Sequence, residues 1–339
     1  MRLGRRSSFD RLTTSGNPTR LAILITLLLP LVLSTSQLTI YVFIALATAV
    51  VAGLSLLMGF AGQVSLGQGA FYAIGAYTAA LLAKQVRIPT LIALAIATAL
   101  TAAIAFAVGL PLLRLRGHYL AFGTLAFQLI VLSILGEAKD LTGGDTGLPG
   151  IPTLSIGPLP LEGPFRPIFF AYVSWLVAAT ALIFNWNLVR SRPGRALRAL
   201  ATSEIGALAS GVSVVGYKLQ VFALSAAYAG LAGGIFAYFL SYIAPGSFPV
   251  LLSIQFLIMA TVGGLGSVLG APVGAVVVTV MVQLLQALGT VPGMPLRAPA
   301  IFSYAVYGLI LILVMLLLPQ GLVPGLRATV MRWRASYRS

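Results

Sequence analysis

Long apolar runs alternate with short polar segments along the whole chain. Most runs approach the length of about 20 residues that a helix needs to cross roughly 30 Å of hydrocarbon, whereas barrel strands would alternate in shorter segments. The predicted spans cover residues 21–36, 38–58, 64–83, 88–113, 118–135, 168–189, 219–243, 251–268, 273–289 and 300–318. The pattern therefore predicts an all-α integral membrane protein, a polytopic bundle of about ten transmembrane helices within residues 21–322.

The composition supports the same class of protein. Of the 339 residues, 59% are hydrophobic and only 8% are charged, and the mean hydropathy is +1.02. The 36 glycines and 19 prolines fit closely packed, locally interrupted membrane helices, because small residues let backbones approach. Since the chain has no cysteine, it offers neither a disulfide nor a thiolate metal site.

Basic residues gather on one side of the predicted topology. With the N-terminus inside, the inner loops and tails collect Arg2, Arg5, Arg6, Arg11, Arg20, Arg114, Arg116, Arg190, Arg192, Arg195, Arg198, Lys218, Arg327, Arg332, Arg334 and Arg338. The outer side receives only Lys84, Arg87, Lys139, Arg166 and Arg297. This asymmetry predicts that both termini are cytoplasmic, with basic tails over residues 1–20 and 323–339.

The same distribution bears on two other readings of the basic residues. The net charge of +15 indicates anchoring beside apolar spans and not nucleic-acid binding. The basic start followed by an apolar run resembles a signal peptide, but no convincing small-residue cleavage site follows. We therefore predict an uncleaved first span.

The spans lack the groups on which several transport and catalytic mechanisms depend. No predicted span contains Asp or Glu, which argues against carboxylate-based proton or sodium coupling. No lysine stands in a Walker A motif, so the chain cannot bind ATP in that way. The single histidine, His118, has no partners for a catalytic dyad or a metal site, and we interpret it as structural. The driving force for transport must come from elsewhere.

Neutral polar residues cluster in and beside the third predicted span. The group comprises Gln63, Ser65, Gln68, Tyr72, Tyr77 and Thr78, and the fifth span adds Thr124 and Gln128. Neutral donors and acceptors suit a pathway for a small polar or zwitterionic solute without a deep charge trap. Interhelical hydrogen bonding is the alternative, worth about 0.6 kcal/mol on average in membranes.

The longest predicted outer loop, residues 136–167, holds most of the acidic residues: Glu137, Asp140, Asp145 and Glu162. Its segment 142–150 is rich in glycine and typical of turns. Thr142, Gly143, Gly144 and Asp145 are either a surface turn or a docking lip for an external partner.

The cytoplasmic loop 190–218 is basic and prone to helix formation, and Glu204 is its only acid. Pro193 and Gly194 open it, and Gly211 ends its helical part. We predict a short amphipathic helix that projects from the membrane. It either lies on anionic lipid headgroups or acts as a lever in a cytoplasmic motor.

Two glycine-rich segments echo one another, 59–67 and 263–270. Transporters are often built from repeated halves whose glycine-interrupted segments lie near the substrate site. An internal repeat is therefore one interpretation of the echo, and convergent glycine-rich turns are the other.

Residues 59–78, 142–148, 217–234 and 259–270, together with the cytoplasmic loop, resemble the LivM-type permease subunits of branched-chain amino acid ABC importers. The resemblance covers roughly residues 38 to 322. Residues 204–211 resemble the Glu-Ala-Ala…Gly coupling segment of such permeases. Here Ile205 and Gly206 replace the two alanines, and the Glu to Gly spacing is one residue longer.

The resemblance implies an ABC importer permease fold in a bacterial inner membrane and a heteromeric complex. The expected partners are a second, LivH-type permease, two cytoplasmic ATPases, an extracytoplasmic binding protein and the amino acid substrate. It implies no cofactor on this chain, with ATP and magnesium held by the partner ATPase. In the implied mechanism, closure of the ATPases pulls the helix at 199–211 and switches the bundle between outward-open and inward-open states.

On this resemblance we assign three sets of candidate residues. The set for ATPase coupling is Arg195, Arg198, Glu204, Ala207 and Gly211. The set for the substrate pathway is Gln63, Ser65, Gln68, Tyr72, Thr124 and Gln128. The set for binding-protein docking is Thr142, Gly143, Gly144 and Asp145.

Other functions remain open from the sequence. Related permeases carry urea, short amides or other small solutes on the same fold. An uncoupled channel or a membrane scaffold would need no ATPase partner. An intramembrane enzyme is disfavoured, because the spans offer no nucleophile paired with a base.

Overall fold

The computed structural model describes residues 26, 28–115, 117–156, 159–160, 163, 165–289, 308–309 and 321–325. The helices in this part of the chain are α1 (Thr35–Ala61), α2 (Gln68–Lys84), α3 (Thr90–Leu112), α4 (His118–Glu137), α5 (Lys139–Thr142), α6 (Arg166–Arg190), α7 (Arg192–Thr202), α8 (Glu204–Ala209), α9 (Val214–Leu240), α10 (Val250–Gly263) and α11 (Gly270–Gly289). Short 3₁₀ turns lie at Gly144–Thr146 and Pro245–Ser247. The strands β1 (Leu148–Pro149), β2 (Ser155–Ile156), β3 (Leu159–Pro160) and β4 (Tyr242–Ile243) form two antiparallel pairs, β1 with β4 and β2 with β3.

Six helical stretches among the described residues are long and apolar enough to cross a membrane. They are Thr35–Ala61, Thr90–Leu112, His118–Glu137, Arg166–Arg190, Val214–Leu240 and Pro245–Gly263. These stretches confirm a polytopic helical membrane protein, within which the prediction of about ten spans is approximate.

Helix α1 lies at the centre of the bundle. Nearly all of its residues from Tyr41 to Ala61 are buried, and it packs against α6, α9, α10 and α11. By contrast α3, α4 and α6 leave broad apolar faces exposed, for example at Leu91, Phe122 and Leu176. Outer faces of this kind suit contact with lipid or with another membrane subunit.

Glycines bring α2 and α9 into backbone contact. A Cβ at Gly75 would overlap the backbone of Gly230, and a Cβ at Gly233 would overlap the carbonyl group of Tyr72. The next helix joins the same group, since Gly230 also faces the side chain of Thr101 on α3. Helices α2, α3 and α9 therefore form one closely packed layer.

Several predicted boundaries differ from the structure. The third span was predicted to begin at residue 64, but α2 begins at Gln68 and the residues before it are not helical. The seventh span begins earlier than predicted, at Val214, and the eighth ends at Gly263 instead of residue 268. The tails 1–20 and 326–339, Arg116, Glu162, Arg297, part of the first predicted span and most of the tenth lie outside the described residues.

The two ends of the bundle differ in character. At one end, called here the loop end, lie the connection 138–165 and strands β1 to β4. At the other end, called here the basic end, α7 folds back against α1 and α6, and α8 lies beside α7 and α9. Gly194 permits this reversal, because a Cβ there would overlap the carbonyl groups of Leu188 and Val189.

Candidate functional site

The chain is not helical between α1 and α2. Gly62 ends α1 in the left-handed conformation, with φ of 65°, and residues 62–67 form an irregular segment before α2. Gln63 and Ser65 lie on this segment, where they are 2% and 1% exposed. The predicted third span, residues 64–83, placed Ser65 on a helix, and this is wrong because Ser65 precedes the helix. A break of this kind is tolerated at membrane depth only where protein or water satisfies the backbone.

Side chains from two other helices accept hydrogen bonds from backbone N–H groups at the start of α2. The Leu66 N–H donates to Thr124 Oγ1 at 2.9 Å, and the Gly69 N–H donates to Ser253 Oγ at 2.7 Å. The first N–H groups of a helix have no partner within the helix, so external acceptors are required when the terminus is buried. Helices α4 and α10 thus cap α2.

The cap on Gly69 continues as a buried relay. Ser253 Oγ donates to Gln128 Oε1 at 2.6 Å, and Gln128 Nε2 donates to the Pro249 carbonyl oxygen at 3.3 Å. Beside it, Gln68 Nε2 donates to Ser225 Oγ on α9 at 3.0 Å. We call this set the junction, and its members are Leu66, Gln68, Gly69, Thr124, Gln128, Ser225, Pro249 and Ser253.

The junction lies inside the bundle and not at its surface. Ser225 packs against Gly53 of α1, about 12 Å along that helix from its end at Ala61. Gln128 lies about 14 Å along α4 from the helix end at Glu137. The irregular segment 62–67 therefore runs from the basic end into the bundle. Segment 242–249 runs into the bundle from the loop end. Two helix N-termini, those of α2 and α10, meet between them.

Helices α2 and α10 are themselves short, although α10 with the turn before it forms the longer apolar stretch Pro245–Gly263. They have 17 and 14 residues, which correspond to about 25 Å and 21 Å, less than the roughly 30 Å of hydrocarbon. Interrupted helices whose N-termini meet near the midplane are a recurrent way to build substrate sites in transporters.

The two glycine-rich segments that echo in sequence are in contact. A Cβ at Gly59 would overlap the backbone of Gly266, so α1 touches the turn between α10 and α11. Residues 264–269 interrupt the helices there just as residues 62–67 interrupt α1 and α2. The echo thus corresponds to two helix breaks of equal length that pack together.

An uncharged cavity of about 230 Å³ lies beside the junction. It is lined by α1, α2, α9, α10, α11 and the turn before α10. Its lining residues are Phe43, Ala47, Tyr72, Phe236, Ser247, Leu252, Gln255, Phe256, Met259, Thr279, Val282 and Gln283. We call this space the aromatic cavity. Tyr72 lies one turn after Gly69, and Gln255 follows Ser253 closely, so the cavity and the junction share helices α2 and α10.

The aromatic wall of the cavity belongs to a larger ring cluster. The Tyr72 ring lies 5.4 Å from the Phe236 ring and 5.9 Å from the Phe256 ring, measured between centroids. The Phe43 ring lies 5.8 Å from the Phe236 ring. Tilted pairs at these separations add to the stability of the packed wall.

The structure divides the predicted pathway residues between two environments. Tyr72 lines the aromatic cavity, whereas Gln68, Thr124 and Gln128 belong to the junction. Gln63 and Ser65 lie on the irregular segment, where Ser65 Oγ accepts a hydrogen bond from the Gly67 N–H at 3.3 Å. Within the described part of the chain, Gln63 Oε1 and Gln68 Oε1 are buried without a hydrogen-bond partner.

Sequence reasoning did not single out several residues that complete this region. Ser225 and Ser253 complete the junction, and Gln255, Thr279 and Gln283 line the cavity. The available signal was the same in each case, a neutral polar residue within an apolar run.

The predicted docking residues form a tight turn at the loop end. Thr142 is buried, and its hydroxyl donates to the Leu135 and Ala138 carbonyl oxygens at 2.7 and 2.8 Å. Gly144 is also buried, so Asp145 is the member of the set that exposes its side chain. Strand β4 lies beside this turn, because Tyr242 Oη donates to the Thr146 carbonyl oxygen at 3.0 Å.

The predicted amphipathic helix at the basic end is two helices. Ser203 separates α7 from α8, and its Oγ accepts from the Gly206 N–H at 3.1 Å as an N-cap. Leu197, Leu200 and Ala207 are buried, so one face of the pair packs on the bundle instead of projecting freely.

The outward face of these two helices is basic and partly apolar. Arg195, Arg198 and Glu204 are exposed, and Glu204 pairs with Lys218 at the start of α9. Gly211 adopts a φ of 76°, which favours glycine and closes α8. All five predicted coupling residues are therefore in one surface region, although Ala207 faces inward.

Comparison with known proteins adds independent evidence. The chain is 34% identical over 295 residues to the high-affinity branched-chain amino acid transport system permease protein LivM of Salmonella typhimurium, and equally to LivM of Escherichia coli. Each match covers 81% of this chain and 67% of the relative. A probable branched-chain amino acid transport permease protein LivM of Methanocaldococcus jannaschii is 26% identical over 240 residues, covering 68% of each chain.

No solved structure matches the chain significantly. The family model for the permease component of branched-chain amino acid transport systems matches residues 32–315, which include the junction, the aromatic cavity and both short helices of the basic end. The chain belongs to this family of branched-chain amino acid transport permeases.

Proposed function

We propose that this chain is a membrane-spanning subunit of an ATP-driven importer that moves branched-chain amino acids by alternating access. The observation that carries the proposal is the family match over residues 32–315 together with relatives named as high-affinity branched-chain amino acid permeases. The interrupted helices α2 and α10 support it, because this architecture recurs in alternating-access transporters.

The partners proposed for the chain are a second permease of the LivH type, two ATPases that hold ATP and magnesium, and an extracytoplasmic binding protein. The exposed surface of α7 and α8 is the proposed ATPase contact, with Arg195, Arg198 and Glu204 at its surface. The turn around Asp145 is the proposed contact for the binding protein. ATP hydrolysis would take place on the partner chains.

The proposed location is a bacterial inner membrane, with the basic end in the cytoplasm. Arg190, Arg192, Arg195 and Arg198 gather at that end, as the positive-inside rule requires. This orientation places both termini in the cytoplasm and the loop end outside.

The test is uptake of radiolabelled leucine into proteoliposomes that contain this chain with the permease, ATPases and binding protein encoded beside it. We expect uptake that requires both ATP and the binding protein. A matched preparation without the ATPases should show no accumulation. ATP-independent flux would contradict the proposal and indicate a channel. Uptake of urea or short amides without leucine uptake would show that one of these solutes, and not a branched-chain amino acid, is the substrate.

A further inference from the structure

The lining of the aromatic cavity combines two kinds of side chain. Phe43, Tyr72, Phe236 and Phe256 form a cluster of aromatic rings. Ser247, Gln255, Thr279 and Gln283 supply hydroxyl and amide groups. No lining residue carries a charge among those that the structure describes. The cavity therefore offers both an apolar surface and neutral donors and acceptors.

Several of these polar groups have no partner. Within the described residues, neither the Tyr72 hydroxyl nor the side-chain amides of Gln255 and Gln283 form a hydrogen bond, although Tyr72 is only 5% exposed. Leaving a polar group without a partner in an apolar environment costs free energy of roughly 1–3 kcal/mol by protein mutational data. Tyr72 is buried and Gln255 and Gln283 are half-buried, and all three line the cavity. They fit a space that water or a polar ligand fills.

The absence of charge limits what that ligand can be. A solute with net charge would bring an uncompensated charge into the interior of a membrane protein, which is costly. A fully apolar solute would leave the amides unpaired. The volume of about 230 Å³ is also below the roughly 300–1,000 Å³ typical of drug-sized ligands. A small amphiphile of zero net charge satisfies all three conditions.

We propose that the aromatic cavity is a solute-binding site within this single chain. Its ligand is a small amphiphile without net charge, with an aliphatic group against Tyr72 and Phe236 and a polar head at the amides of Gln255 and Gln283. The further assignment of this ligand as a branched aliphatic amino acid, in its zwitterionic form, rests on the proposed function.

The position of the cavity gives the bound solute a mechanical role. Tyr72 belongs to α2, Gln255 to α10 and Gln283 to α11, so the ligand bridges three helices. Two of these, α2 and α10, also meet at the junction through Gly69 and Ser253. Occupancy of the cavity therefore bears directly on the contact between α2 and α10.

The natural absence of cysteine gives a direct test. Ala47→Cys places one thiol on the cavity wall, and the assembled complex in proteoliposomes is treated with a small membrane-permeant maleimide. The rate of labelling of this chain is measured with and without leucine. At ten times its dissociation constant, leucine should slow labelling about tenfold. Lysine, which carries net charge, and urea, which lacks an aliphatic group, should leave the rate unchanged.

The matched control is Ala95→Cys, which makes the same change on the exposed face of α3. Leucine should not protect this thiol. If Ala47→Cys prevents assembly, Thr279→Cys places the thiol at another lining position, on α11. Gln255→Leu, combined with the cavity thiol, should abolish protection, whereas protection that persists unchanged would refute the role of the amide.

Leucine uptake in the same vesicles separates the two proposals. ATP-dependent uptake with protection of the cavity thiol supports both. Uptake with less than about twofold protection overturns the cavity site and leaves the importer function standing. Equal protection by lysine, or equal protection at Ala95→Cys, also overturns the site. Absence of leucine uptake overturns the proposed function and, with it, the assignment of an amino acid to the cavity.

Discussion

One hydroxyl group at Ser253 joins three helices. It accepts a hydrogen bond from the Gly69 N–H of α2 and donates one to Gln128 Oε1 of α4, while its own backbone belongs to α10. Ser253 is 1% exposed, so water cannot replace it readily. A buried network of this kind is stabilising only while all its members are satisfied.

Ser253→Ala should therefore destabilise the junction. The change leaves the Gly69 N–H and Gln128 Oε1 unpaired, at an expected cost of about 1–3 kcal/mol in the free energy of unfolding. The measurement is reversible unfolding of the purified chain in mixed micelles, with leucine uptake by the assembled complex as a second readout. Ser133→Ala is the control, because Ser133 is exposed on α4. Equal stability of the two variants would show that the Ser253 relay contributes nothing.

Helices α2 and α9 meet without intervening side chains. The contact of Gly75 with Gly230, and of Gly233 with Tyr72, brings the two backbones together over more than one turn. The end of α9 at the loop end is fixed as well, since Arg166 Nη2 donates to the Phe239 carbonyl oxygen and Ser241 Oγ, each at 2.7 Å. The pair therefore behaves as one unit, with no side-chain rotamer at the contact that could adjust.

Gly75→Ala should separate this pair of helices. The added methyl group would overlap the Gly230 backbone, which cannot turn aside as a side chain can. Overpacking typically costs about 1–3 kcal/mol, and the backbone position of this clash favours the upper part of that range. The effect is measured as a melting temperature, with unfolding on heating monitored by size-exclusion chromatography. Gly246→Ala is the control, because a Cβ at Gly246 meets no atom within 4 Å and should leave the melting temperature unchanged.

The sequence predicted long apolar helices well but placed their interruptions poorly. The spans near α3, α4, α6 and α11 lie within a few residues of their predicted bounds, because length and apolar content decide such helices. The start of α2 is decided instead by acceptors at Thr124 and Ser253, which are far away in sequence. No local sequence pattern indicates hydrogen-bond acceptors that are this distant in the chain. Ser203 was a readable signal, since serine before glutamate is typical of an N-cap, and the break at this residue was missed.

The candidate site could be predicted only in part for a related reason. Gln68, Thr124 and Gln128 were recognised as neutral polar residues in apolar runs, and they meet at the junction. Whether such a residue bonds a neighbour or lines a space depends on three-dimensional packing. Gln255 shows this best, because it is a glutamine in an apolar run like Gln128, yet it lines the cavity and has no partner among the described residues.

At the scale of the whole molecule, the basic end presents a surface suited to another protein. Ile205 is 81% exposed, and Leu208 and Val215 are each 59% exposed, beside the exposed arginines of α7. Large aliphatic side chains at the tip of a basic loop are unfavourable in water and are typical of interfaces. Under the proposed function this surface meets the ATPase.

Ile205→Asp should weaken that contact while preserving the fold. The side chain is almost fully exposed, so the change removes little internal packing. We expect about a tenfold loss in ATPase affinity, as for an interface residue that contributes more than 1 kcal/mol. Association of purified ATPase with the permease in nanodiscs measures it. Thr202→Asp introduces the same charge at an exposed site on α7 and is the control. Unchanged affinity and uptake in Ile205→Asp would contradict the proposed coupling surface.

The pairing of β1 with β4 links the loop end to the interior. Leu148 lies opposite Ile243, and Pro149 lies opposite Tyr242. From Tyr242 a short segment leads to Pro249, which belongs to the junction. The 3₁₀ turn at Pro245–Ser247 and the buried Phe248 hold this segment against the bundle. A displacement of the turn at Asp145 would therefore be transmitted to the first turn of α10 through packed residues. By the same route, a rearrangement of the junction would change the surface that the loop end presents to a partner.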